Sequence, residues 1–276
     1  MINEIIFPCV IKPIFLSASR GVIRVNTIEE LAYGIKTLNE LLSLEEVRER
    51  GGEQSDWILV EEYIPGKEVA IEGIVAEGKL KVLAVFDKPE PMEGPTFEET
   101  IIVTPTALSE KNQFSLFETA QNAVKALGIV KGPVHVEVRI NSSGNYILEC
   151  ASRSIGGLCS KVLEFQGGMS LEELILRSYL GRNVVKTKLT DTARGVMMMP
   201  TENMGILKEM RGVEDALNVK GVTDLQITVK PGEKLEPLPK GDRYLGFIFA
   251  EDKDQELVIK ALKNAWSKIE VVLENT

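Results

Sequence analysis

The sequence predicts an α+β protein made of two unequal parts. Two observations carry that expectation. Strand-like runs joined by Gly- and Pro-containing turns dominate the chain, with amphipathic helices between them. Near Asn183 the character then changes to short strands and a single helix, which reads as a smaller α+β unit packed on the first. At 276 residues, 44% of them hydrophobic, the chain can bury a substantial core in one or two domains.

Taken in order, "FPCVIKPIFLSASRGVIRV" is a strand, a lysine, a loop of small residues and a second strand. "TIEELAYGIKTLNELLSLEEVRER" predicts a helix, with Thr27 as N-cap, Glu30 at the capping-box spacing and an apolar stripe of Leu31, Ile35, Leu38 and Leu42. "WILVEEYIPGKEVAIEGIVAEGKLKVLAVFDK" reads as three strands, divided by a Pro-Gly turn at 65–66 and a tight turn at Glu77-Gly78. "KPEPMEGPTFEET" is a loop, and Glu110 to Leu127 is a helix closed by Gly128. "GPVHVEVRINSSGNYILECASR" is a β-hairpin, and Ser170 to Leu180 is a helix closed by Gly181. The second part holds the strands "ARGVMMMP", "VTDLQITVKP" and "RYLGFIFAE" and a helix from Asp254 to Ile269.

Charge and composition exclude several classes. A formal net charge of −9 argues against a nucleic-acid or anionic-membrane partner, since both rest on clustered positive charge. No apolar run approaches the length of a membrane span, and the first residues lack a basic segment followed by an apolar one. The three cysteines, Cys9, Cys150 and Cys159, are an odd number without CxxC spacing, which predicts reduced thiols and a cytoplasmic protein.

The hairpin carries the strongest chemical signal. A five-residue turn from Asn141 to Asn145 sets Glu137 opposite Glu149. Facing carboxylates repel, so the arrangement predicts a cation between them; two carboxylates completed by water and phosphate oxygens suit Mg²⁺. A half-solvated hairpin with ordinary surface charge has the same composition, and a one-residue slip removes the facing geometry. Spacing alone leaves both readings open. By alternation His135, Glu137 and Arg139 share a face with Ile147, Glu149 and Ala151. The single histidine, His135, reads either as a packed strand residue or as a site residue. Arg153 leaves the strand into "SIGGLCS", whose free N–H groups could meet an anion.

Lys12 stands at a strand end before Pro13, and Ser17 to Gly21 offers hydroxyls and open backbone N–H groups, a pattern suited to phosphate oxygens. It is not a Walker loop, and a strand-end lysine beside an ordinary hairpin loop fits equally. Backbone groups around Glu62 to Ile64 could read an adenine edge and Glu68 a ribose; a plain strand with a Pro-Gly turn is the alternative.

In their order, "FPCVIKP", "SASRGVI", "VEEYIPGKEV", "FDKPEPMEGPTFEET", "HVEVR" and "ECASRSIGG" resemble the ATP-grasp superfamily, within it the carboxylate–amine ligase branch that includes L-amino acid ligases. The run from "ARGVMMMPTENMG" to "PGEKL" looks like that branch's C-terminal domain. The resemblance implies an ATP-grasp fold of two α+β subdomains around a nucleotide cleft over residues 1–182, and a small C-terminal α+β domain over 183–276. It implies ATP and Mg²⁺ (or Mn²⁺) as cofactors, a carboxylate and an amine as substrates, and an acyl-phosphate intermediate. Lys12 would contact the phosphates, with Ser17, Ser19 and Gly21 in the lid loop. Glu61, Glu62, Tyr63 and Ile64 would hold adenine, Glu68 the ribose, Glu137 and Glu149 the metal, and Arg153 the transferred phosphoryl group. Glu98, Glu99 and His135 would face the substrate. Two departures stand out. Ala151 occupies the place of an asparagine metal ligand common in the superfamily, and the family's front portion, with another ATP-contacting lysine, has no counterpart here. The expectation is therefore a split or truncated ligase needing an N-terminal partner chain or a homo-oligomer, with a non-catalytic nucleotide-binding or scaffold subunit as the alternative.

Overall fold

The computed structural model describes residues 5–182 and 187–274. Its first unit is a three-stranded antiparallel sheet of β1 (Cys9–Pro13), β2 (Ile23–Val25) and β3 (Ile58–Glu62), ordered β2-β1-β3. Helices α1 (Ile28–Leu42) and α2 (Glu45–Gly51) supply its core, with Leu31, Leu38, Leu41, Leu42 and Val47 packed on Cys9, Ile11 and Val25. Thr27 caps α1 as expected, its Oγ1 accepting from the Glu30 N–H at 3.2 Å. The reciprocal bond falls one residue earlier, on the Asn26 N–H at 2.7 Å, so the capping box is offset. Ile35 lies on the solvent side of the stripe and Leu41 replaces it.

The rest of the chain builds a larger sheet from β4 (Lys67–Ala76), β5 (Lys79–Asp87), β6 (Ile101–Thr104), β7 (Lys131–Asn141), β8 (Gly144–Ala151), β9 (Ala193–Met199), β11 (Val222–Ile227) and β13 (Gly246–Asp252). Its strand order is β11-β13-β9-β6-β5-β4-β7-β8. Strands β9, β11 and β13 follow residue 183 yet extend the same sheet, joined through the β6–β9 ladder. The expected boundary at 182/183 itself lies at the edge of the described residues. A third small sheet, β12-β10-β14, combines β10 (Gly205–Arg211), β12 (Lys234–Leu235) and β14 (Glu270–Glu274). The short strands β6, β10, β12 and β14 are additions to those expected from the sequence.

Register decides which side chains meet. Odd-numbered residues of β4, β6 and β9 and even-numbered residues of β7 face α3 (Glu110–Ala126) and α6 (Gln255–Trp266), which cover one side of the sheet with Leu116, Ala120, Val124, Val258, Leu262 and Ala265. The opposite side holds Ala70, Phe86, Ile102, Val196, Met198 and Phe247. The segment after β8 and α4 (Leu171–Tyr179) cover it, through Cys159, Val162, Leu163, Phe165, Leu171 and Leu174. That second side also carries the polar residues of interest. β3 and β4 belong to different sheets, so Pro65-Gly66 crosses between units instead of closing a hairpin.

Helix α6 comes close to β9 at Gly195. A Cβ there would stand 2.8 Å from Val103 Cγ1, 2.8 Å from Val258 Cγ1 and 2.9 Å from the Ile102 carbonyl. Overpacking of this kind costs about 1–3 kcal/mol. Gly195→Ala is therefore expected to lower the urea midpoint accordingly, whereas an alanine at the open turn glycine Gly167, whose φ is +87° with no atom near a Cβ, tests backbone strain alone.

Candidate active site

The hairpin of β7 and β8 does bring Glu137 opposite Glu149, by a different route from the expected five-residue turn. Asn141 pairs with Gly144, so the turn is tight and only Ser142 and Ser143 lie outside the ladder. A bulge between the Val138–Ile147 and Glu137–Glu149 pairs then absorbs Leu148 and restores the facing register. The tight turn puts Tyr146, not Ile147, opposite Arg139, and Ile147 packs on the α3 side. The expected shared face of Ile147 with Glu137 is thus corrected by the shorter turn.

On the other flank β4 pairs with β7, matching Glu68 to Arg139, Ala70 to Glu137 and Glu72 to His135. Alternation puts all of these but Ala70 among polar partners on one side of an otherwise apolar sheet. Lys88, one residue past β5, reaches into them. Its Nζ lies 2.6 Å from Glu68 Oε1, 3.0 Å from Glu137 Oε1 and 3.1 Å from Glu99 Oε1, and its side chain is 3% exposed. Arg139 Nη2 takes the other oxygen of Glu68 at 2.6 Å, and its Nη1 donates to the Ile64 carbonyl at 3.1 Å. His135 joins Glu72 through Nδ1 and approaches Glu137 Oε1 through Nε2 at 3.5 Å. Glu72 Oε2 in turn accepts from the Ile155 N–H at 3.1 Å, tying the segment after Arg153 to the sheet.

Seven ionisable groups thus form one connected cluster of four carboxylates and three cations. Burial drives the Lys88 ammonium toward neutrality, but Glu137, Glu99 and Glu68 outweigh it and hold its pKa well above the usual lysine value. Burial works against the Glu137 carboxylate too, yet Lys88 and His135 keep its pKa well below the carboxylate range. Glu99 and Glu72 are raised, burial being the largest cause for both. Burial alone would lower His135; hydrogen bonds and charge from Glu137 and Glu72 overcome it and push the imidazole up to about 9.

The other expected residues fall around this cluster. Glu149 is half exposed, and its Oε1 stands 3.5 Å from Arg153 Nη2. Arg153 is also half exposed and donates to the Ser154 carbonyl. Glu98 diverges from Glu99: burial raises its pKa, and it lines a small pocket with Ala18, Thr201, Arg243 and Tyr244. In the first unit Lys12 Nζ pairs with Glu61 Oε2 at 2.5 Å. Tyr63 stacks on Phe97 at a centroid distance of 6.4 Å, with the Arg24 guanidinium 4.0 Å from its ring centroid; Glu62 is exposed. The loop from Ser17 to Gly21 turns through left-handed Ala18, Ser19 and Gly21. Its N–H groups are partly engaged, because Arg20 N–H donates to Ser17 and Gly21 N–H to the Pro239 carbonyl at 2.8 Å.

Lys88, Glu72 and Arg139 were not singled out in the sequence as site residues. Lys88 opens the proline- and acid-rich stretch "KPEPMEGPTFEET". The available signal was that it is the sole cation among Asp87, Glu90, Glu93, Glu98 and Glu99. Glu72 shares Glu68's face of β4 by period-2 alternation.

A divalent cation fits the Glu137–Glu149 pair. Both contacts to Glu137 fall on Oε1, and no protein bond to its Oε2 occurs among the described residues. Glu149 is open to solvent. No set of three or more His, Cys, Asp or Glu is arranged to hold a metal among the described residues. A two-carboxylate donor set completed by water and phosphate is what Mg²⁺ accepts.

This sheet, the smaller first unit and the facing carboxylates accord with an ATP-grasp protein, and the chain belongs to that family: the ATP-grasp domain matches residues 5–162. The L-amino acid ligase C-terminal domain 2 matches residues 197–274. Alanine–anticapsin ligase of Bacillus subtilis (strain 168) is 27% identical over 189 residues, covering 63% of this chain and 39% of that protein. Carnosine synthase 1 of Gallus gallus is 33% identical over 100 residues, or 36% of this chain and 10% of its own. The crystal structure of L-amino acid ligase from Bacillus licheniformis superposes with a TM-score of 0.80 at 24% identity, over 99% of this chain and 66% of that one. N5-carboxyaminoimidazole ribonucleotide synthetase from Thermotoga maritima gives 0.66 at 19% identity, over 99% and 65%. The matched stretch therefore spans 39% of the length of the alanine–anticapsin ligase.

The cluster makes stability depend on pH. His135's pKa rises on folding from 6.5 to about 9, so its contribution is fully present below pH 6.5 and is lost as pH rises through 9. Comparison of denaturant midpoints at pH 6.5 and 9.5 should show a fall in the native chain that His135→Asn lacks.

Proposed function

We propose that the chain forms the nucleotide-binding and C-terminal parts of an ATP-dependent carboxylate–amine ligase of the amino acid ligase type. In this reading residues 1–182 make up the ATP-grasp part and 183–276 the C-terminal domain. The observation that carries it is the facing Glu137–Glu149 pair, with one oxygen of Glu137 left open beside a cluster whose charge is otherwise internally paired.

Each residue then has a task. Glu61 to Ile64 hold adenine and Glu68 the ribose. Lys12 and the loop carrying Ser17, Ser19 and Gly21 meet the phosphates. Lys12's partner Glu61 is 41% exposed, and ion pairs of that kind contribute only about 0–1 kcal/mol, so a phosphate can displace it. Glu137 and Glu149 would hold Mg²⁺ or Mn²⁺, which when bound supplies charge neutralisation on the phosphate oxygens. Arg153 steadies the transferred phosphoryl group from the open side of the hairpin. A carboxylate oxygen of the first substrate displaces ADP from the γ-phosphorus. The amine of the second then attacks the acyl carbon, phosphate departs and the nitrogen gives up a proton. Glu98, Glu99 and His135 are proposed to face the amine, Glu98 from the small pocket and the other two from the cluster.

The experiment is calorimetry with ATP and Mg²⁺, followed by ADP release with a panel of amino acids. Glu137→Gln and Glu149→Gln should each abolish the Mg²⁺-dependent part of ATP binding while the fold persists, and Lys12→Ala should weaken ATP at least tenfold. Turnover is measured with the chain alone and with the front portion of a ligase relative added, since the matched relatives are longer. ATP binding unchanged by either glutamine variant would overturn the assignment.

A further inference from the structure

Lys88 is the unusual member of the cluster. Its ammonium has three carboxylate neighbours from three separate segments: Glu68 on β4, Glu137 on β7 and Glu99 before β6, at 2.6, 3.0 and 3.1 Å. An ammonium carries three donors and no acceptor; here it hydrogen-bonds to Glu68 Oε1 and Glu137 Oε1, and Glu99 Oε1 stands within ion-pair distance as the third neighbour. The side chains of Lys88 and Glu68 are 3% and 5% exposed, so water does not screen the group. Glu99 Oε1 has no hydrogen bond of good geometry and is held by charge alone. Four carboxylates with only Arg139 and His135 as cations would leave an excess of buried negative charge around this point.

We infer that Lys88 fills, with its own ammonium, a cation site inside the carboxylate cluster and thereby confines a divalent ion to the outer side of Glu137. This rests on the metal assignment made above. Lys88 and His135 both lie against Glu137 Oε1, which leaves Oε2 as the oxygen that a metal shared with Glu149 can use. Lys88 is in these terms a positioning residue: it touches the carboxylate that meets the metal and not the reacting atoms. It also fixes the distance between the residue proposed for ribose, Glu68, and the one proposed for metal, Glu137, because both bind the same nitrogen.

The test uses Mn²⁺ alone as the probe, counted by electron paramagnetic resonance and calorimetry on the full chain. Lys88→Met opens the position between Glu68, Glu99 and Glu137. It is expected to bind Mn²⁺ at least tenfold more tightly than the native chain and to gain more thermal stability from Mn²⁺ than the native chain does. Lys88→Arg, which keeps the charge, should behave as native. Adding Glu149→Gln separates the two readings: it should remove the native chain's Mn²⁺ binding but leave the affinity gained by Lys88→Met. If Lys88→Met does not fold, Lys88→Met with Glu99→Gln removes one charge of each sign, and the same gain over native is expected. Native-like Mn²⁺ affinity in the folded variant would overturn the inference, even if Glu149→Gln upholds the outer metal site. Gain in the variant with no native binding would uphold the inner cation site and overturn the Glu137–Glu149 assignment instead.

Discussion

Charge pairing on one side of an apolar sheet is the constraint on which the rest of this structure depends. Each cation in the cluster ties segments that are distant in the chain. Lys88 joins β4, β7 and the segment before β6; Arg139 joins β7 to β4 and to the Ile64 carbonyl of the crossing segment. Buried ions are expensive unless every partner is in place, and removing one partner of a buried pair typically costs about 3–5 kcal/mol. The cluster therefore fixes strand register and side-chain position together, which a purely apolar sheet face would leave to packing. It also explains why the polar patch is confined. Ala70, Phe86 and Ile102 close the same face a residue or two away, so the charges sit in a local window of low dielectric.

The sequence makes the architecture legible where period and punctuation are strong. The turn at Glu77-Gly78, the glycines ending α3 and α4, and the alternation through β4 and β7 all match the observed elements. It conceals what depends on partners remote in the chain. The Pro65-Gly66 turn looks local but joins two sheets, and β9, β11 and β13 look like a separate unit until the four-residue β6 links them to the first half. The facing glutamates were legible, but through two compensating differences: a shorter turn and a bulge at Leu148 sum to the same register. Lys88 was hidden because a lysine next to proline in an acidic loop has the composition of solvated surface. Only the fold shows that its neighbours are buried.

The first unit is held in place by the far end of the chain. Gly21 N–H donates to the Pro239 carbonyl and Arg20 Nε to the Lys240 carbonyl, both at 2.8 Å, while Lys240 Nζ reaches Glu40 on α1, also at 2.8 Å. On its other flank Arg24 donates from its N–H to Pro95 and from Nη1 to the Glu93 carbonyl, again at 2.8 Å each. The loop that carries Ser17, Ser19 and Gly21 is therefore bracketed by the segment leading to Glu98 and Glu99 and by the 236–243 segment of the C-terminal part. Gly241 shows how tightly that segment turns, since a Cβ there would fall 1.8 Å from the Glu236 carbonyl oxygen.

These two sets of contacts differ in kind, and the difference bears on how the parts work together. The charge cluster is buried and made of side chains that satisfy one another, so it behaves as a rigid element. The bracket around the loop is made largely of backbone carbonyls accepting from Arg20, Gly21 and Arg24. Single hydrogen bonds of that type contribute about 0.5–1.5 kcal/mol each, little enough to exchange one at a time. The fold thus draws the carboxylate cluster from residues 68–139 alone, whereas the loop is bracketed by residues of the C-terminal part. The C-terminal part extends the sheet through β9 and also touches the loop through the Pro239 and Lys240 carbonyls, so the sheet that carries the cluster and the loop are both anchored to it.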